Sequence, residues 1–90
     1  MRLDLFLKLS RMVTRRTLAQ QMCEAGAVRI NGSRAKSAHV VRIGDELVIR
    51  HRGRISTIRV LDVPSKQVSR SDARSLYETV SVESYDAAVD

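Results

Sequence analysis

The chain has 90 residues, which is enough for one small domain but leaves little room for a large catalytic cleft. It carries 16 Lys and Arg against 10 Asp and Glu, a formal net charge of +6, and such a balance favours a polyanionic partner. No apolar run approaches the ~18 residues of a membrane span, and the first residues lack the layout of a signal peptide. We therefore expect a cytoplasmic protein that makes no membrane contact.

The positive charge is concentrated in the first two thirds of the chain. Residues 1–59 contain 13 Lys and Arg against 4 Asp and Glu, a net +9, whereas residues 60–90 contain 3 against 6, a net −3. A compact basic body with an acidic end is typical of a protein that binds nucleic acid.

Residues 2–9 predict a short first helix. Leu3, Phe6 and Leu7 recur at helical spacing. Asp4 lies in the first turn, where a carboxylate interacts favourably with the helix dipole.

A second helix is predicted from Thr14, a good N-cap residue, to Gly26, a typical residue just beyond a helix C-terminus. The apolar positions of this helix form one stripe, which consists of Leu18, Ala19, Met22 and Cys23. Arg15 and Arg16 lie just inside its start, where a cation gains nothing from the helix dipole. Stability of the free protein therefore gives little reason for Arg16, and we expect this residue to serve binding.

After the second helix the apolar period changes to alternation, which predicts a strand. Val28 and Ile30 flank Arg29. The following Asn31-Gly32 pair is a strong signal for a tight turn with positive φ.

Two further strands are predicted at residues 47–49 and 55–63. A turn at residues 44–45 precedes them, and a polar hairpin loop at residues 51–54 joins them. Pro64 ends the second of these strands.

The C-terminal part of the chain is predicted to lie outside the main domain. Residues 65–70 are polar and predict a linker, residues 71–78 predict a short helix, and we expect fraying beyond Val82. The sequence thus indicates an α+β domain over residues 1–63, followed by a linker, short helix and acidic tail over residues 64–90.

The residues available for catalysis favour simpler roles. Cys23 lies on the apolar stripe of the second helix, which indicates packing. His39 and His51 have no Cys, Asp or Glu at metal-ligand spacing, and phosphate-cradling glycine motifs are absent from the sequence. We expect a binding module that is not an enzyme and has no cofactor and no metal site.

The composition favours structured RNA over single strands. Aromatic residues make up 3% of the chain, so the strands lack the exposed rings on which single-strand binders stack bases. A folded polyanion such as A-form RNA is instead recognised by shape and phosphate contact, which cations on short rigid elements supply. The cations expected to converge near the start of the second helix and the turn after the first strand are Arg2, Arg11, Arg15, Arg16, Arg34 and Lys36.

A family resemblance runs in unbroken order from position 2 to about position 50. The segments that carry it are Arg2-Leu3-Asp4, Phe6-Leu7, Ser10-Arg11, Arg15-Arg16-Thr17-Leu18-Ala19, Gly26-Ala27-Val28-Arg29-Ile30-Asn31-Gly32, Ala35-Lys36 and Gly44-Asp45-Glu46. They resemble the RNA-binding module named after small-subunit ribosomal protein four, also called the alpha-L motif. The resemblance implies two N-terminal helices packed on a small bent antiparallel sheet, with structured RNA bound at the N-terminal parts of the helices and at the strand-turn.

The resemblance also implies which residues contact RNA. Arg2 and Arg16 match the family's RNA-contacting positions most closely, and Asp4 beside them is expected to orient an arginine. Leu5 stands where a basic residue is expected, which removes one phosphate contact. The complete set of implied RNA-binding residues is Arg2, Asp4, Lys8, Arg11, Arg15, Arg16, Asn31, Arg34 and Lys36.

Most family members carry the module as an appendage to an enzyme, whereas a chain of this length resembles the free-standing RqcP group and, next to it, the heat-shock-protein-fifteen group. Both groups act on large ribosomal subunits that still hold peptidyl-tRNA. The implied partners are large-subunit ribosomal RNA, peptidyl-tRNA and an RqcH-type factor that adds C-terminal alanine tails to stalled chains. The free protein is expected to be a monomer.

Two other functions stay open at this point. One is a general structural RNA-binding or ribosome-assembly protein, which would ignore the tRNA. The other is a small basic DNA-binding regulator that uses residues 14–25 as a recognition helix, although strand patterning begins directly at Val28, where such a motif continues with more helix or a wing.

Overall fold

The computed structural model describes residues 1–64 and 70–84. Its elements are α1 (Leu3–Leu9), α2 (Arg16–Glu24), β1 (Val28–Ile30), β2 (Ser33–Arg34), β3 (Glu46–His51), β4 (Arg54–Val60), α3 (Arg70–Ala73), a 3-10 turn (Arg74–Leu76) and β5 (Tyr77–Ser84). The strands form one antiparallel sheet in the order β2-β1-β3-β4-β5. The predicted α+β class, with two N-terminal helices and an antiparallel sheet, is confirmed. Within the described residues, none of the helices is long and apolar enough to cross a bilayer.

The apolar faces of the two helices and of the sheet share one core. Phe6, Leu3 and Leu7 of α1 are completely buried, and Ala19, Met22 and Cys23 supply the buried face of α2. The buried strand residues in the same cluster are Val28, Ile30, Leu47, Ile49, Ile58 and Val60. This packing orients α1 and α2 rigidly, so the surfaces that they expose are fixed by the fold.

The start of α1 is held by the loop that follows β2. The Leu3 amide donates to the His39 carbonyl at 2.8 Å, and the Asp4 amide donates to the Ser37 carbonyl at 3.1 Å. The Val41 amide donates to the Met1 carbonyl at 2.8 Å. These hydrogen bonds place the loop beside the first turn of α1.

The predicted start of α2 is wrong by one residue, since Thr14 was expected to be the N-cap and Arg15 occupies that position. Arg15 precedes the helix in an extended conformation, with φ −134° and ψ 142°, and no side chain caps the N-terminus, so Thr14 is not the cap. The connection from α1 explains this start. The buried Val13 donates its amide to the Leu7 carbonyl at 3.1 Å, so Thr14 and Arg15 are needed to span the distance to α2.

The predicted end of α2 at Gly26 is confirmed. Gly26 has φ +78°, and its amide donates to the Cys23 carbonyl at 3.1 Å while the Ala27 amide donates to the Met22 carbonyl at 2.9 Å. These two bonds form a Schellman motif, in which glycine avoids the strain that a side chain would suffer at positive φ.

Both predicted turns, at Asn31-Gly32 and within residues 51–54, are present, and both are hairpin turns. Asn31 and Gly32, with φ of 49° and 86°, join β1 to β2. Arg52 and Gly53, with φ of 53° and 77°, join β3 to β4. Two consecutive residues at positive φ define the type I′ turn that matches the twist of antiparallel strands.

The C-terminal segment differs from its prediction. The helix expected over residues 71–78 covers only α3 and the 3-10 turn, after which Tyr77–Ser84 pairs with β4 as an edge strand. That strand was not predicted, because its Thr, Ser and Glu residues give no clear apolar alternation. β4 itself ends at Val60 and not at residue 63, since the Leu61 amide donates to the Leu76 carbonyl at 2.8 Å.

Two other predictions for this segment are tested only in part, because the described residues do not cover all of it. The linker expected at residues 65–70 lies outside the described residues except for Arg70, which begins α3. Fraying was expected beyond Val82, but β5 extends to Ser84, and the remaining residues lie outside the described part.

Leu76→Ala tests whether this segment belongs to the folded core. Leu76 is only 2% exposed and packs in the main cluster, so its truncation should lower the free energy of unfolding by about 2 to 4 kcal/mol in urea denaturation. Val82→Ala, at a β5 position that is 53% exposed, should change the value by less than about 0.5 kcal/mol. Equal effects of the two substitutions would contradict the assignment of Leu76 to the core.

Candidate RNA-binding surface

A buried carboxylate lies at the centre of the candidate surface. The Asp4 side chain, in the first turn of α1, is completely buried and forms ion pairs with Arg2 and Arg16. Its Oδ2 accepts hydrogen bonds from Arg2 Nη2 at 3.2 Å and Gln20 Nε2 at 2.8 Å, and its Oδ1 accepts from Arg2 Nε at 3.3 Å and from the Leu5 amide at 2.8 Å. Arg16 Nε lies 3.3 Å from Oδ2. The carboxylate therefore joins the first turn of α1 to the first two turns of α2.

The contact between Asp4 and Arg16 depends mainly on charge. Arg16 Nε is buried, and within the described residues it has no well-aligned hydrogen-bond acceptor despite its distance of 3.3 Å from the carboxylate. Because a bent approach weakens a hydrogen bond more than it weakens an ion pair, the attraction of opposite charges holds Arg16 here.

The surroundings of Asp4 keep it ionised. Burial by itself raises the pKa of the carboxyl, but four neighbours outweigh burial, so the pKa lies below its ordinary value of 3.8. In order of decreasing effect these neighbours are the Gln20, Arg16 and Arg2 side chains and the Leu5 amide. An ionised Asp4 compensates one of the two guanidinium charges and leaves the cluster with a net charge of +1.

Each arginine of this cluster contacts Asp4 with one part of its side chain and exposes the rest to solvent. The side chains of Arg2 and Arg16 are 48% and 41% exposed, while one edge of each guanidinium faces Asp4. A guanidinium has five N–H donors, so a phosphate can bind the part that Asp4 does not use. The expectation that Asp4 orients an arginine is supported by this geometry.

Arg16 has a role in the free protein that its place in the sequence did not indicate. Beside Arg15 and near a helix N-terminus, Arg16 was expected to add nothing to the stability of the free protein. In the structure it forms an ion pair with Asp4, which stabilises the fold. The sequence did not reveal this pair, because the partners are 12 positions apart and meet only when α1 packs against α2.

Gln20 is a member of the cluster that sequence analysis did not identify. Its amide nitrogen makes the shortest side-chain hydrogen bond to Asp4, at 2.8 Å. Gln20 lies four residues after Arg16, on the same face of α2, and that spacing is the one signal that was available.

Asn31 serves the fold in this structure. Its side-chain Nδ2 donates to Asp45 Oδ1 at 3.1 Å, and its Oδ1 accepts the Glu46 amide at 3.0 Å. Its backbone amide donates to the Glu46 carbonyl at 2.8 Å. Asn31 thus fastens the β1–β2 turn to the start of β3, and its role in RNA binding stays a prediction.

Arg34 also has a contact within the protein. Its guanidinium donates to the Glu24 carbonyl at the end of α2, and it lies beside Gly26, 3.6 Å from the point that a Cβ at this position would occupy. A cation at a helix C-terminus satisfies a terminal carbonyl and interacts favourably with the helix dipole. RNA contact by Arg34 would therefore use the exposed remainder of its side chain.

The remaining predicted cations lie on the surface outside this cluster, at the end of α1, before α2 and after β2. Lys8 is exposed in the last turn of α1, Arg11 follows that helix, and Arg15 precedes α2. Lys36 is exposed and precedes Ser37, whose carbonyl binds the Asp4 amide. The structure therefore brings Arg2, Asp4 and Arg16 into direct contact and places the others on flanking elements.

A groove of about 590 Å³ lies beside the C-terminal end of α2. Its lining is Cys23, Glu24, Arg34, Ala35, Lys36 and Ser37. Cys23 is 2% exposed, and burial, followed by the nearby charge of Asp4, raises the pKa of its thiol. A protonated, buried thiol is a poor nucleophile, which agrees with the packing role expected for it.

Comparison with known proteins identifies the class of this molecule. Residues 1–47, which contain both helices and the strand-turn, match the S4 domain, and the chain belongs to the S4-domain family. Relatives that match over most of their length are named RQC P-site tRNA stabilizing factor. One from Halalkalibacterium halodurans is 47% identical over 78 residues, which are 87% of this chain and 88% of the relative.

A second group of relatives has the name heat shock protein 15. The Escherichia coli protein is 34% identical over 77 residues, which are 86% of this chain and 58% of that protein. A trimeric structure of the Vibrio cholerae protein superposes with a TM-score of 0.84 at 32% identity, and the match covers 89% of this chain and 81% of that one. The resemblance predicted from the sequence is confirmed for both groups.

The lowered pKa of Asp4 predicts a pH dependence of stability. The carboxylate stabilises the fold above its unfolded-state pKa, near 3.8, and this contribution is lost as the pH falls through the lower folded-state value. Asp4→Asn should lower the free energy of unfolding by on the order of 2 kcal/mol near neutral pH, and the difference from the unmodified protein should shrink toward about pH 2. Urea denaturation across this range measures it, and a difference that does not vary with pH would contradict the role of the ionised group.

Substitutions at the adjacent Arg15 and Arg16 provide a matched test of the ion pair between Asp4 and Arg16. Arg16→Ala should lower the free energy of unfolding by about 1 kcal/mol, because one neighbour of a buried carboxylate is removed while Arg2 and Gln20 remain. Arg15→Ala removes the same charge from an exposed position and should change stability little. Thermal unfolding followed by circular dichroism measures both, and equal melting temperatures for the two variants would argue against the pair.

Proposed function

We propose that this protein is a ribosome-associated quality-control factor that binds large ribosomal subunits obstructed by peptidyl-tRNA. In this proposal it contacts ribosomal RNA and the tRNA, and supports RqcH-dependent addition of C-terminal alanine tails to the stalled chain. It acts in the cytoplasm as a binding protein and not as an enzyme, without a cofactor, and is a monomer when free. The relatives named RQC P-site tRNA stabilizing factor support the assignment to this process.

The observation that carries the proposal is the Asp4 cluster. A carboxylate would repel RNA if it were exposed, but here it is buried and holds Arg2 and Arg16 with about half of each side chain in solvent. Guanidiniums that are already oriented lose less conformational entropy when they bind phosphate. The cluster lies within the residues that match the S4 domain.

The surface is suited to structured RNA more than to a DNA groove. α2, the candidate recognition helix, is followed directly by β1 at Val28, and its buried face packs in the core. The arginines lie at the starts of two short helices, where they reach a phosphate backbone and not a row of base edges.

Co-sedimentation with isolated large ribosomal subunits tests the proposal. The protein should be retained by subunits that carry peptidyl-tRNA and be retained less by empty subunits. Equal retention by both would favour a general ribosomal-RNA-binding role, preferential retention by precursor subunits would favour assembly, and no retention by any of them would refute the proposal.

Asp4→Asn gives the sharper form of the same experiment. The substitution raises the net charge from +6 to +7, so simple attraction to a polyanion would strengthen binding. If Asp4 positions Arg2 and Arg16, binding should instead weaken by on the order of 1 to 3 kcal/mol at temperatures where the variant is folded.

Two control variants complete this test. Glu24→Gln raises the net charge by the same amount from an exposed position of α2 and should not weaken binding. Arg59→Ala removes a cation that is paired with Glu78 on the distant β4–β5 region and should change binding little. Tighter binding of Asp4→Asn than of the unmodified protein would refute the positioning role.

A further inference from the structure

A second group of cations lies at the tip of the β3–β4 hairpin. This tip, residues 51–54, consists of His51, Arg52, Gly53 and Arg54, and both arginines are exposed. It borders a groove of about 390 Å³. The lining of that groove is Met12, Ile49, His51, Arg52, Arg54 and Ser56, and none of these residues carries a negative charge.

The backbone of Arg52 is unusual for its residue type. Among the described residues, three that are not glycine have positive φ, namely Arg11 at 65°, Asn31 at 49° and Arg52 at 53°. Asn is common in this conformation, and the side chain of Asn31 makes two hydrogen bonds that stabilise its turn. Arginine has no such preference, so turn formation does not explain the residue type at positions 11 and 52.

Arg11 occupies the position just beyond the end of α1, where glycine is the usual residue. Gly26 fills the equivalent position after α2. Residues kept in a strained conformation point to a use for the side chain beyond the fold. Arg11 directly precedes Met12, which lines the same groove as Arg52, so the two strained arginines lie on segments that border one depression.

We propose that the hairpin tip, together with Arg11, is a second phosphate-binding surface for structured RNA. Arg11 follows the C-terminal end of α1, seven residues or roughly 10 Å along the chain from Asp4, and the hairpin tip borders the groove that the adjacent Met12 lines, so an RNA helix held by the Asp4 cluster can extend toward both. The type I′ turn holds the two exposed arginines on a rigid support, and a guanidinium binds phosphate through paired donors. The inference does not depend on quality-control function, because it concerns contact with RNA itself.

The test uses a double variant, Arg52→Gly with Arg54→Thr, and a fluorescently labelled tRNA transcript as the probe. Gly removes the strain at position 52 and Thr suits the first position of β4, so the melting temperature should stay unchanged or rise. The slope of log K against log salt should become less steep by about 1.4 to 1.8, which corresponds to two lost phosphate contacts. Affinity near physiological salt should fall about tenfold or more.

Arg59→Thr is the matched control on the same strand, and its salt slope should stay within about 0.5 of that of the unmodified protein, since Arg59 is paired with Glu78. An unchanged slope for the double variant, or an equal loss for Arg59→Thr, would overturn the proposal. A labelled decaglutamate peptide is the probe for an acidic protein partner. If it binds the unmodified protein and not the double variant, while tRNA binds both equally, the surface is a protein-docking site and the assignment to RNA is wrong.

Discussion

The candidate surface depends on one interaction, the burial of the Asp4 carboxylate between two arginines. Burying a charge is costly, and the cost is offset only when the charge is paired and its lone pairs are used. Here the carboxylate oxygens contact the side chains of Arg2, Arg16 and Gln20 and the Leu5 amide. Because these groups belong to both helices, the position of the guanidiniums follows from the packing of α1 against α2.

The same interaction explains why two arginines are tolerated at the starts of adjacent helices. Helix N-termini carry a partial positive charge, so a guanidinium placed there is repelled by the helix dipole and by the second guanidinium. The ionised Asp4 screens that repulsion from within, and the loop at residues 37–41 fixes the first turn of α1 by backbone hydrogen bonds. The free protein is therefore stable with a positive surface that a phosphate group can neutralise further.

Local features of the fold were predictable and nonlocal ones were not. Gly26 and the Asn31-Gly32 pair determine their own backbone conformation, so the end of α2 and the first hairpin followed from the sequence. The start of α2, the pairing of Arg16 and the use of Arg34 on a helix carbonyl depend on contacts between distant segments. β5 was missed because its pairing with β4, and not its own weak apolar pattern, makes it a strand.

The three non-glycine residues at positive φ show how far backbone geometry constrains a binding surface. Asn31 suits this conformation, and its side chain hydrogen-bonds to Asp45 and to the Glu46 amide, so the fold gives a reason for its identity. Arg11 and Arg52 adopt the same conformation at exposed positions without that advantage. Where the backbone disfavours a residue, its side chain is the place to look for the reason, and this argument is the basis for proposing that the exposed guanidiniums of Arg11 and Arg52 bind phosphate.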